Sequence, residues 1–531
     1  MESAAAVNRN PRAQIEEGLE DAHNDYEDEP GEDEEEEEEE EFDEEELSGH
    51  EGSQSSDRER MNDLLRRLAT GSVRVRVHDV LIKGNTKTKD SLIEAEVLPV
   101  FRSASTMQEL LQAATAANAR LQRLEIFDSV SIVLDAGPSE LPGTVNVIID
   151  LVEPKNPLSG DIGFYTRPET RGWSIEGLLK LRNVFGYGDI WNAAGAYSLD
   201  HTTEMSAGLS LPRFKALSTP ITARVTLLTQ DWLKFSSYKE RLLGLSFGLV
   251  STIRHELAYN LTWRHLTDPL RMSSVSVRRQ LGHSLLSSLK YSYKLDRRNS
   301  SIRPMKGYAF LSTSQIGGLG HDSNLLRFIR QEFDLRAAIP LGFFHTALNI
   351  GVAAGVIMPW GNGFMTLPTP LTERFHIGGN SSPLCLLGSP TSLLGFKMRG
   401  LGPTDLRRMI PSRTDRTSDP PASPGWDALG GDLAVTAFAD ISFDLPLKVL
   451  RDSGIYGHAF ISAGNLAKLS EGSIKDFSIR QFAKNFRSSA GIGVIVPTKL
   501  FRMEVNYCYI LRQFEHDRAK TGIQFSISAL T

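Results

Sequence analysis

Apolar and polar residues alternate along most of the chain, from residue 157 to the end, in short segments separated by Gly, Pro, Asn and Asp. A period of two is typical of a β-strand with one apolar and one polar face. The pattern predicts sixteen such strands. They lie near residues 160–167, 172–182, 188–198, 202–212, 220–230, 238–249, 252–266, 283–296, 306–317, 325–340, 343–358, 431–445, 454–464, 487–497, 501–511 and 519–529.

The number and spacing of these strands favour one architecture. Each strand with its connection takes about 23 residues, which is typical of an up-and-down barrel with tilted strands. An even number returns both ends of the barrel to the same side, and a soluble sandwich of this size would be unusually large. Residues 157–531 are therefore predicted to form a 16-stranded transmembrane β-barrel, with apolar residues toward lipid and polar residues toward the lumen.

Residues 61–156 show a different pattern and are predicted to form a separate α/β domain. Apart from a short leading helix, the predicted order is β-α-α-β-β. The predicted elements are a helix at 61–68, a strand at 73–82, a helix opened by Thr88, a second helix capped at Ser105 or Thr106, and strands at 127–134 and 144–151. With this domain and the barrel together, the protein is predicted to be mostly β.

Residues 1–60 are the acidic part of the chain. They contain 26 acidic and 4 basic residues, including ten consecutive acidic residues from Glu32 to Glu41. The rest of the chain has 40 acidic and 54 basic residues, so the formal charge of -8 combines a polyanionic tail with a basic body. Because such a segment repels itself and has little apolar surface to bury, we expect a disordered tail. It either keeps the chain soluble or offers a weak docking surface to basic protein segments.

Composition disfavours several classes of protein. Two cysteines, Cys385 and Cys508, cannot form a disulfide scaffold and lack the spacing of a zinc site. No segment has the ~18 consecutive apolar residues of a membrane-spanning helix, and the first residues resemble neither a signal peptide nor a transit peptide. Gly244-Leu-Ser-Phe-Gly248 matches a hydrolase motif but lies within an alternating strand, so we expect no enzyme, cofactor or metal site.

Three motifs make this order of domains recognisable. They are Asn183-Val-Phe-Gly-Tyr-Gly-Asp189, Asp296 with Arg298 followed by Pro304-Met-Lys-Gly307, and Phe375-His-Ile-Gly-Gly379. Across roughly residues 70–531 the chain resembles the outer-membrane assembly superfamily, also called the bacterial surface antigen family. In that family a polypeptide-transport-associated (POTRA) domain precedes a 16-stranded barrel. The resemblance thus implies that residues 61–156 are a POTRA-like domain.

The resemblance also implies a function, which is the insertion and folding of β-barrel precursor proteins in an outer membrane. The single POTRA-like domain, the lack of a signal peptide and the polar-x-Gly-x-x-hydrophobic-x-hydrophobic pattern from Lys520 to Ile527 favour the mitochondrial outer membrane. The implied partners are β-barrel precursors, the lipid bilayer and accessory subunits of an assembly complex, with no nucleic acid. The alternative is a protein or solute translocation channel of the same family in the outer envelope of a plastid.

The long loop after the eleventh strand carries a further motif of the family. It normally contains Val/Ile-Arg-Gly-Phe/Tyr, with its tip folded into the lumen, and the corresponding residues here are Leu393, Leu394, Gly395 and Phe396. Leu394 thus replaces the arginine, and Arg399 in the downstream Met-Arg-Gly is a candidate substitute. The Arg-, Pro- and Ser-rich segment Thr404–Asp427 lengthens the loop, either as a solvated segment or for partner docking.

The resemblance places partners of the loop arginine on the twelfth and thirteenth strands. Asp440 is predicted to point inward on the twelfth strand. On the thirteenth, the Phe-x-Asp-x-Gly pattern of the family reads Phe460, Ser462 and Gly464, with serine in place of the aspartate. Because a single buried charge is costly, the loss of both charged residues is consistent with a released ion pair. Arg399 with Asp440 is a candidate replacement.

A barrel that inserts other barrels must offer them a strand edge. Unpaired strand groups in hydrocarbon cost several kcal/mol each, so we expect a seam between the first and last strands to open and pair with an incoming strand. The first predicted strand is short and contains two glycines, which weakens pairing, unless this strand is simply poorly predicted. The residues assigned to the seam are Gly160, Asp161, Gly163 and Tyr165 on the first strand and Gly522, Gln524, Phe525 and Ile527 on the last.

Overall fold

The computed structural model describes residues 74–529 apart from several short ranges. The ranges outside the description are 167–172, 200, 214–218, 253, 321–326, 344, 361–367, 380–381, 385–386, 389, 410–424, 470–476 and 499–500. The acidic tail predicted at residues 1–60 and the helix predicted at 61–68 lie outside the described residues, so both stay predictions.

An α/β module comes first and has the predicted β-α-α-β-β order. Its elements are β1 (Arg76–Lys83), α1 (Asp90–Phe101), α2 (Met107–Arg123), β2 (Ser129–Ala136) and β3 (Thr144–Val152). The strand order is β1-β3-β2, with β1 parallel and β2 antiparallel to the central strand. α2 begins at a capping box, because Thr106 Oγ1 accepts from the Glu109 N–H and the Glu109 carboxylate accepts from the Thr106 N–H.

Sixteen antiparallel strands follow and form one sheet, which confirms the predicted number of strands. They are β4 (Leu158–Thr166), β5 (Trp173–Arg182), β6 (Ile190–Ser198), β7 (Thr203–Leu211), β8 (Ile221–Asp231), β9 (Lys239–Thr252), β10 (His255–Thr267), β11 (Gly282–Asp296), β12 (Gly307–Gly317), β13 (Arg327–Pro340), β14 (Ala347–Trp360), β17 (Leu433–Asp444), β18 (Tyr456–Ala467), β19 (Arg487–Pro497), β20 (Phe501–Arg512) and β21 (Gly522–Ala529). The hydrolase-like motif Gly244–Gly248 lies inside β9, as expected for a coincidental match.

Short elements occupy the connections. The loop between β14 and β17 contains a two-stranded ladder of β15 (Thr404–Leu406) and β16 (Trp426–Ala428). The short helices are α3 (Leu233–Ser236), α4 (Val275–Arg278), α5 (Lys448–Asp452) and α6 (Ile479–Lys484). In the described ranges we find no helix with the length and apolar character needed to span a bilayer.

The strands sort their side chains by face. Ile162, Ile492 and Phe525 point outward and are 80%, 63% and 66% exposed. The inward positions between them carry buried polar residues, such as Ser489 on β19 and Asn506 on β20. This apolar-out, polar-in arrangement is the one that the alternation of the sequence predicts for a barrel in lipid.

The sheet does not close into a continuous ladder within the described residues. β4 and β21 stand at the two ends of the strand order. Their Cα atoms nevertheless come within 8 Å of each other. The first and last strands therefore lie side by side without a strand pairing between them in the described part of the chain.

The module contacts the barrel at the turn between β5 and β6. Asn183 Nδ2 donates to Thr88 Oγ1 at 2.7 Å. The Lys89 N–H donates to the Gly186 carbonyl at 3.0 Å. Gly186 has a φ of +78°, and a Cβ at this position would lie 2.3 Å from the Lys87 carbonyl oxygen. Glycine is therefore required here for both backbone conformation and close approach.

Two ion pairs and one apolar contact extend this interface. Lys180 Nζ on β5 lies 2.5 Å from a carboxylate oxygen of Glu125. Arg213, just after β7, lies 3.1 Å from Glu96 of α1. Ile190, at the start of β6, packs against the apolar core of the module. The module is thus attached along β5, β6 and the end of β7.

Glu153 closes the module just before the barrel begins. Its carboxylate accepts hydrogen bonds from Thr86 Oγ1 at 2.6 Å, from the Lys87 N–H at 3.0 Å and from the Thr88 N–H at 2.8 Å. Partial burial alone would raise the pKa of Glu153, but these hydrogen bonds outweigh it and lower the pKa to about 2. The carboxylate is therefore charged at neutral pH and fixes the turn after β1.

Candidate functional site

The long loop between β14 and β17 enters the lumen, as the sequence motif predicts. Its apolar residues form one buried cluster with inward residues of the wall. The loop members are Phe375, Ile377, Leu393, Phe396 and Leu401, and the wall members are Phe328, Ile357, Ala434 and Leu466. Gly355 on β14 leaves space for this packing, since a Cβ there would lie 2.5 Å from Cζ of Phe375. Burial of apolar surface thus holds the loop inside the barrel.

The tip of the loop contacts the last strands of the barrel. The Lys520 N–H donates to the Gly395 carbonyl at 2.8 Å. The Gly395 N–H donates to Gln524 Oε1 on β21 at 3.4 Å. Leu394 is buried and packs against Phe460 and Cys508. The position of the family's arginine is therefore surrounded by apolar side chains on this side, which suits a leucine.

A chain of neutral hydrogen bonds connects the tip to β18 and β19. Ser462 Oγ and Ser489 Oγ lie 2.9 Å apart. Ser489 Oγ also lies 2.6 Å from the Leu394 carbonyl, to which it donates. Leu393 of the tip lies against Gly464, since a Cβ there would be in ordinary van der Waals contact with Leu393 at 3.4 Å. The structure thus brings Phe460, Ser462 and Gly464 to the loop tip.

Asp440 points inward but belongs to another network. Its Oδ2 lies 2.6 Å from Nδ1 of His458. Nε2 of the same histidine lies 2.7 Å from Asn506 Oδ1, and Asn506 Nδ2 donates to Glu504 at 3.3 Å. Among the described residues this network joins β17, β18 and β20, and the predicted pair of Asp440 with Arg399 is not formed. That prediction is wrong because the adjacent inward position on β18 already supplies the partner of Asp440.

Arg399 instead anchors the loop to the connection between β8 and β9. Its Nη1 donates to Tyr238 Oη at 2.9 Å and to Ser236 Oγ at 3.2 Å. Its guanidinium carbon lies 3.6 Å from the ring centroid of Trp232. The residue has a φ of +49°, which is unusual for a side chain of this size. Arg399 therefore has a positioning role at the end of the barrel remote from the module.

Ion pairs that sequence reasoning missed also hold the loop. Arg264 Nη1 lies 2.7 Å from Glu373 Oε1. Arg330 Nη1 donates to the Glu373 carbonyl at 3.0 Å. Asp334 accepts from the Gly388 N–H at 2.9 Å. The alternation marks the strand residues as inward, but no spacing in the sequence relates them to a loop residue.

The turn motif after β11 contributes one more contact to the loop. Arg298 pairs with Asp296 at 2.7 Å. Its Nη1 also donates to the Leu384 carbonyl at 2.9 Å. Gly307 has a φ of +107°, and a Cβ there would lie 2.2 Å from the Arg297 carbonyl. The Asp-x-Arg and Gly positions of this motif therefore shape a turn that reaches into the lumen.

A cavity of about 470 Å³ remains between the loop and the wall. Its lining includes Arg264, Arg374, His376 and Phe438. Burial, together with the nearby Arg399 and Arg374, lowers the pKa of His376 well below its usual value, so this side chain is neutral. In the described part of the chain, no group of three or more His, Cys, Asp or Glu side chains is arranged to hold a metal ion.

The predicted seam residues lie on the two end strands. Gly160, Asp161, Gly163 and Tyr165 lie on β4, and Gly522, Gln524, Phe525 and Ile527 lie on β21. Phe525 points outward and Gln524 points to the lumen. Gly522 has a φ of +119° at the start of β21. The structure brings the two sets to the same side of the barrel without pairing them.

Comparison with known proteins adds a family and a fold. The model of the Omp85 superfamily domain matches residues 183–529. A sorting and assembly machinery component 50 homolog from Mus musculus is 29% identical over 463 residues, covering 85% of this chain and 89% of that protein. A SAM50-like protein from Schizosaccharomyces pombe is 24% identical, covering 90% of this chain and 95% of that protein. The crystal structure of BamA from Haemophilus ducreyi lacking POTRA domains 1-3 has a TM-score of 0.67 at 16% identity, covering 86% of this chain and 85% of that chain.

Proposed function

This chain belongs to the Omp85 superfamily, and from that membership we propose that it inserts and folds β-barrel precursor proteins in the mitochondrial outer membrane. The similarity to sorting and assembly machinery component 50 homologs over most of both chains supports this role. The relatives come from animals and fission yeast, which supports the mitochondrial location over the plastid alternative. The fold likeness to BamA supports the barrel architecture.

The observation that carries the mechanism is the strand order, in which β4 and β21 end the sheet side by side. An edge strand in hydrocarbon leaves backbone donors and acceptors to be satisfied, and an incoming strand can satisfy them by β-augmentation. Precursor strands therefore enter between β4 and β21. The glycines of β4, Gly160 and Gly163, weaken its own pairing and favour this exchange.

The loop tip and the module assist this step from two sides. The contacts of Gly395 with Lys520 and Gln524 hold the start of β21 in place while its edge remains available. The α/β module acts as a POTRA-like domain that receives precursors before they reach the seam. Accessory subunits of an assembly complex and the lipid bilayer complete the set of partners.

Depletion of the protein tests the proposed function. Imported β-barrel precursors should reach the outer membrane but fail to acquire their integrated, protease-resistant form. The readout is the assembly of radiolabelled precursors in isolated mitochondria. Normal assembly after depletion would reject the insertase and leave the translocation channel.

A cross-link across the seam tests the mechanism separately. Asp161→Cys and Gln524→Cys, in a background with both native cysteines replaced by serine, should join β4 to β21 with a short bis-maleimide. We expect the cross-linked protein to stay folded and to lose precursor assembly. The control joins Asp161→Cys to Leu178→Cys, its partner in the β4–β5 ladder, which should leave assembly intact. Unimpaired assembly in the seam-linked protein would exclude this entry route.

A further inference from the structure

A row of three basic side chains crosses the outer face of the barrel at the end remote from the module. Arg241 on β9 pairs in register with His265 on β10, and His265 pairs with His283 on β11. Their neighbours Leu242 and Arg264 line the luminal cavity, so the three basic residues point outward. The two imidazole rings are stacked, with centroids 4.0 Å apart and an angle of 9° between the planes.

The row lies at a sharp boundary between polar and apolar surface. Two residues along each strand, toward the middle of the barrel wall, the next outward residues are also paired in register. They are Leu243, Trp263 and Leu285. These three are 41%, 41% and 49% exposed. A tryptophan next to an apolar band is typical of the level where a barrel meets lipid headgroups. The basic row is therefore at headgroup height.

The three basic side chains have no acidic partner in the described residues. Lys239, the next outward residue beside Arg241 on β9, forms an ion pair with Asp231 at 3.0 Å. In the described ranges, neither Arg241 nor the two histidines form an ion pair with a carboxylate. The charge of Arg241 is therefore available to an anion, and the two stacked imidazoles beside it can donate further hydrogen bonds.

We propose that Arg241, His265 and His283 bind the phosphate of an anionic phospholipid, with Trp263 packing beside its glycerol and acyl carbons. The arginine and the two imidazoles supply donors to the phosphate oxygens, and the apolar row below accepts the chains. The membrane supplies this ligand at the height where the row lies. The proposal rests on the barrel lying in a bilayer, as proposed above, but not on its insertase activity.

Lipid retention tests the proposal. The full chain is reconstituted in nanodiscs of phosphatidylcholine with a minor fraction of phosphatidylglycerol, extracted into mild detergent and examined by native mass spectrometry. The unmodified protein should retain phosphatidylglycerol in preference to phosphatidylcholine. Arg241→Gln with His265→Gln and His283→Gln should lower this retention about fivefold or more, since each basic side chain near an anionic surface contributes measurably. The Arg241→Lys variant, which keeps the positive charge, should retain phosphatidylglycerol as the unmodified protein does.

A matched control isolates the contribution of the row. Arg327 is the first residue of β13 and lies 5.5 Å from the ring of Trp360, but it stands without a neighbouring histidine pair. Arg327→Gln should retain the lipid. Equal losses in both variants, or no loss in the triple variant, would overturn the site. Displacement of the lipid by inorganic phosphate alone would overturn the lipid as the source of the anion. Precursor assembly is measured in parallel, so failure of one proposal is distinguishable from failure of the other.

Discussion

The resemblance drawn from the sequence implies that Leu394 and Ser462 stand where the family pattern has an arginine and an aspartate. Leu394 packs on Phe460 and Cys508, and Ser462 reaches the loop through Ser489. A buried ion pair must recover a large desolvation cost, whereas apolar packing with satisfied neutral hydrogen bonds does not incur it. The loop of this chain is therefore held at its tip by neutral groups.

Restoring the arginine alone should destabilise the protein. Leu394→Arg places a charge among apolar side chains, and we expect a loss of about 3–5 kcal/mol. Adding Ser462→Asp should recover much of this loss by supplying a counter-charge. The measurement is the thermal midpoint of the folded band on semi-native gels. Leu394→Met is the size-matched control and should change little, and a stable single arginine variant would contradict the neutral arrangement.

Glu153 makes the stability of the module depend on pH. Its pKa is lowered from 4.5 to about 2, so its contribution is complete above pH 4.5 and is lost as the pH falls through about 2. Glu153→Gln should therefore lower the urea midpoint of the module at neutral pH, and the difference from the unmodified protein should vanish toward pH 2. Glu140→Gln, an exposed carboxylate in the same module, is the control and should have little effect at either pH.

Among the elements, β14 is built to receive the loop. Gly351 and Gly355 both face aromatic rings, of Phe438 on β17 and of Phe375 in the loop. A side chain at either glycine would occupy the volume of the ring. Glycine weakens the interior of a strand, but at these two positions it leaves room on the inner surface of β14 for the aromatic rings and for the loop that lies against it.

A substitution on this strand should release the loop. Gly355→Val would displace Phe375 and expose the loop to protease while the strands remain intact. Limited proteolysis with mapping of the cleavage sites measures the effect. Gly195→Val is the control, because a Cβ there meets no heavy atom within 4 Å. Equal protection of the loop in both variants would show that Phe375 is not needed to hold it.

The strands could be predicted because their signal is local. Alternation within a single segment, as in Phe501–Arg512, is enough to identify the strand and its outward face. The contacts of the loop are not local. Glu373 meets Arg264 and Arg330 from distant parts of the chain, and Arg399 lies on Trp232 instead of near Asp440. Only the path of the folded loop determines these pairs, so sequence spacing gives no signal for them.

For the whole molecule, the attachment of the module to the barrel is a defined interface. Gly186→Val should separate the β5–β6 turn from the module, because its side chain would collide with the Lys87 carbonyl. We expect faster cleavage at residues 153–157 and reduced precursor assembly, with the heat-modifiable barrel unchanged. Gly342→Val is the control, since this glycine has a similar φ of +81° but no atom within 4 Å. Unchanged cleavage would show that the turn does not hold the module.

This attachment has a mechanical consequence for the first strand. β4 starts at Leu158, shortly after the module ends at Val152, and the module is bound to β5, β6 and the end of β7 beside it. The start of β4 is therefore clamped to its neighbours. If the proposed seam opens, we expect it to open from the end that the module does not hold, so that an incoming strand pairs first away from the module. Its pairing would then extend toward the module one hydrogen-bonded residue pair after another.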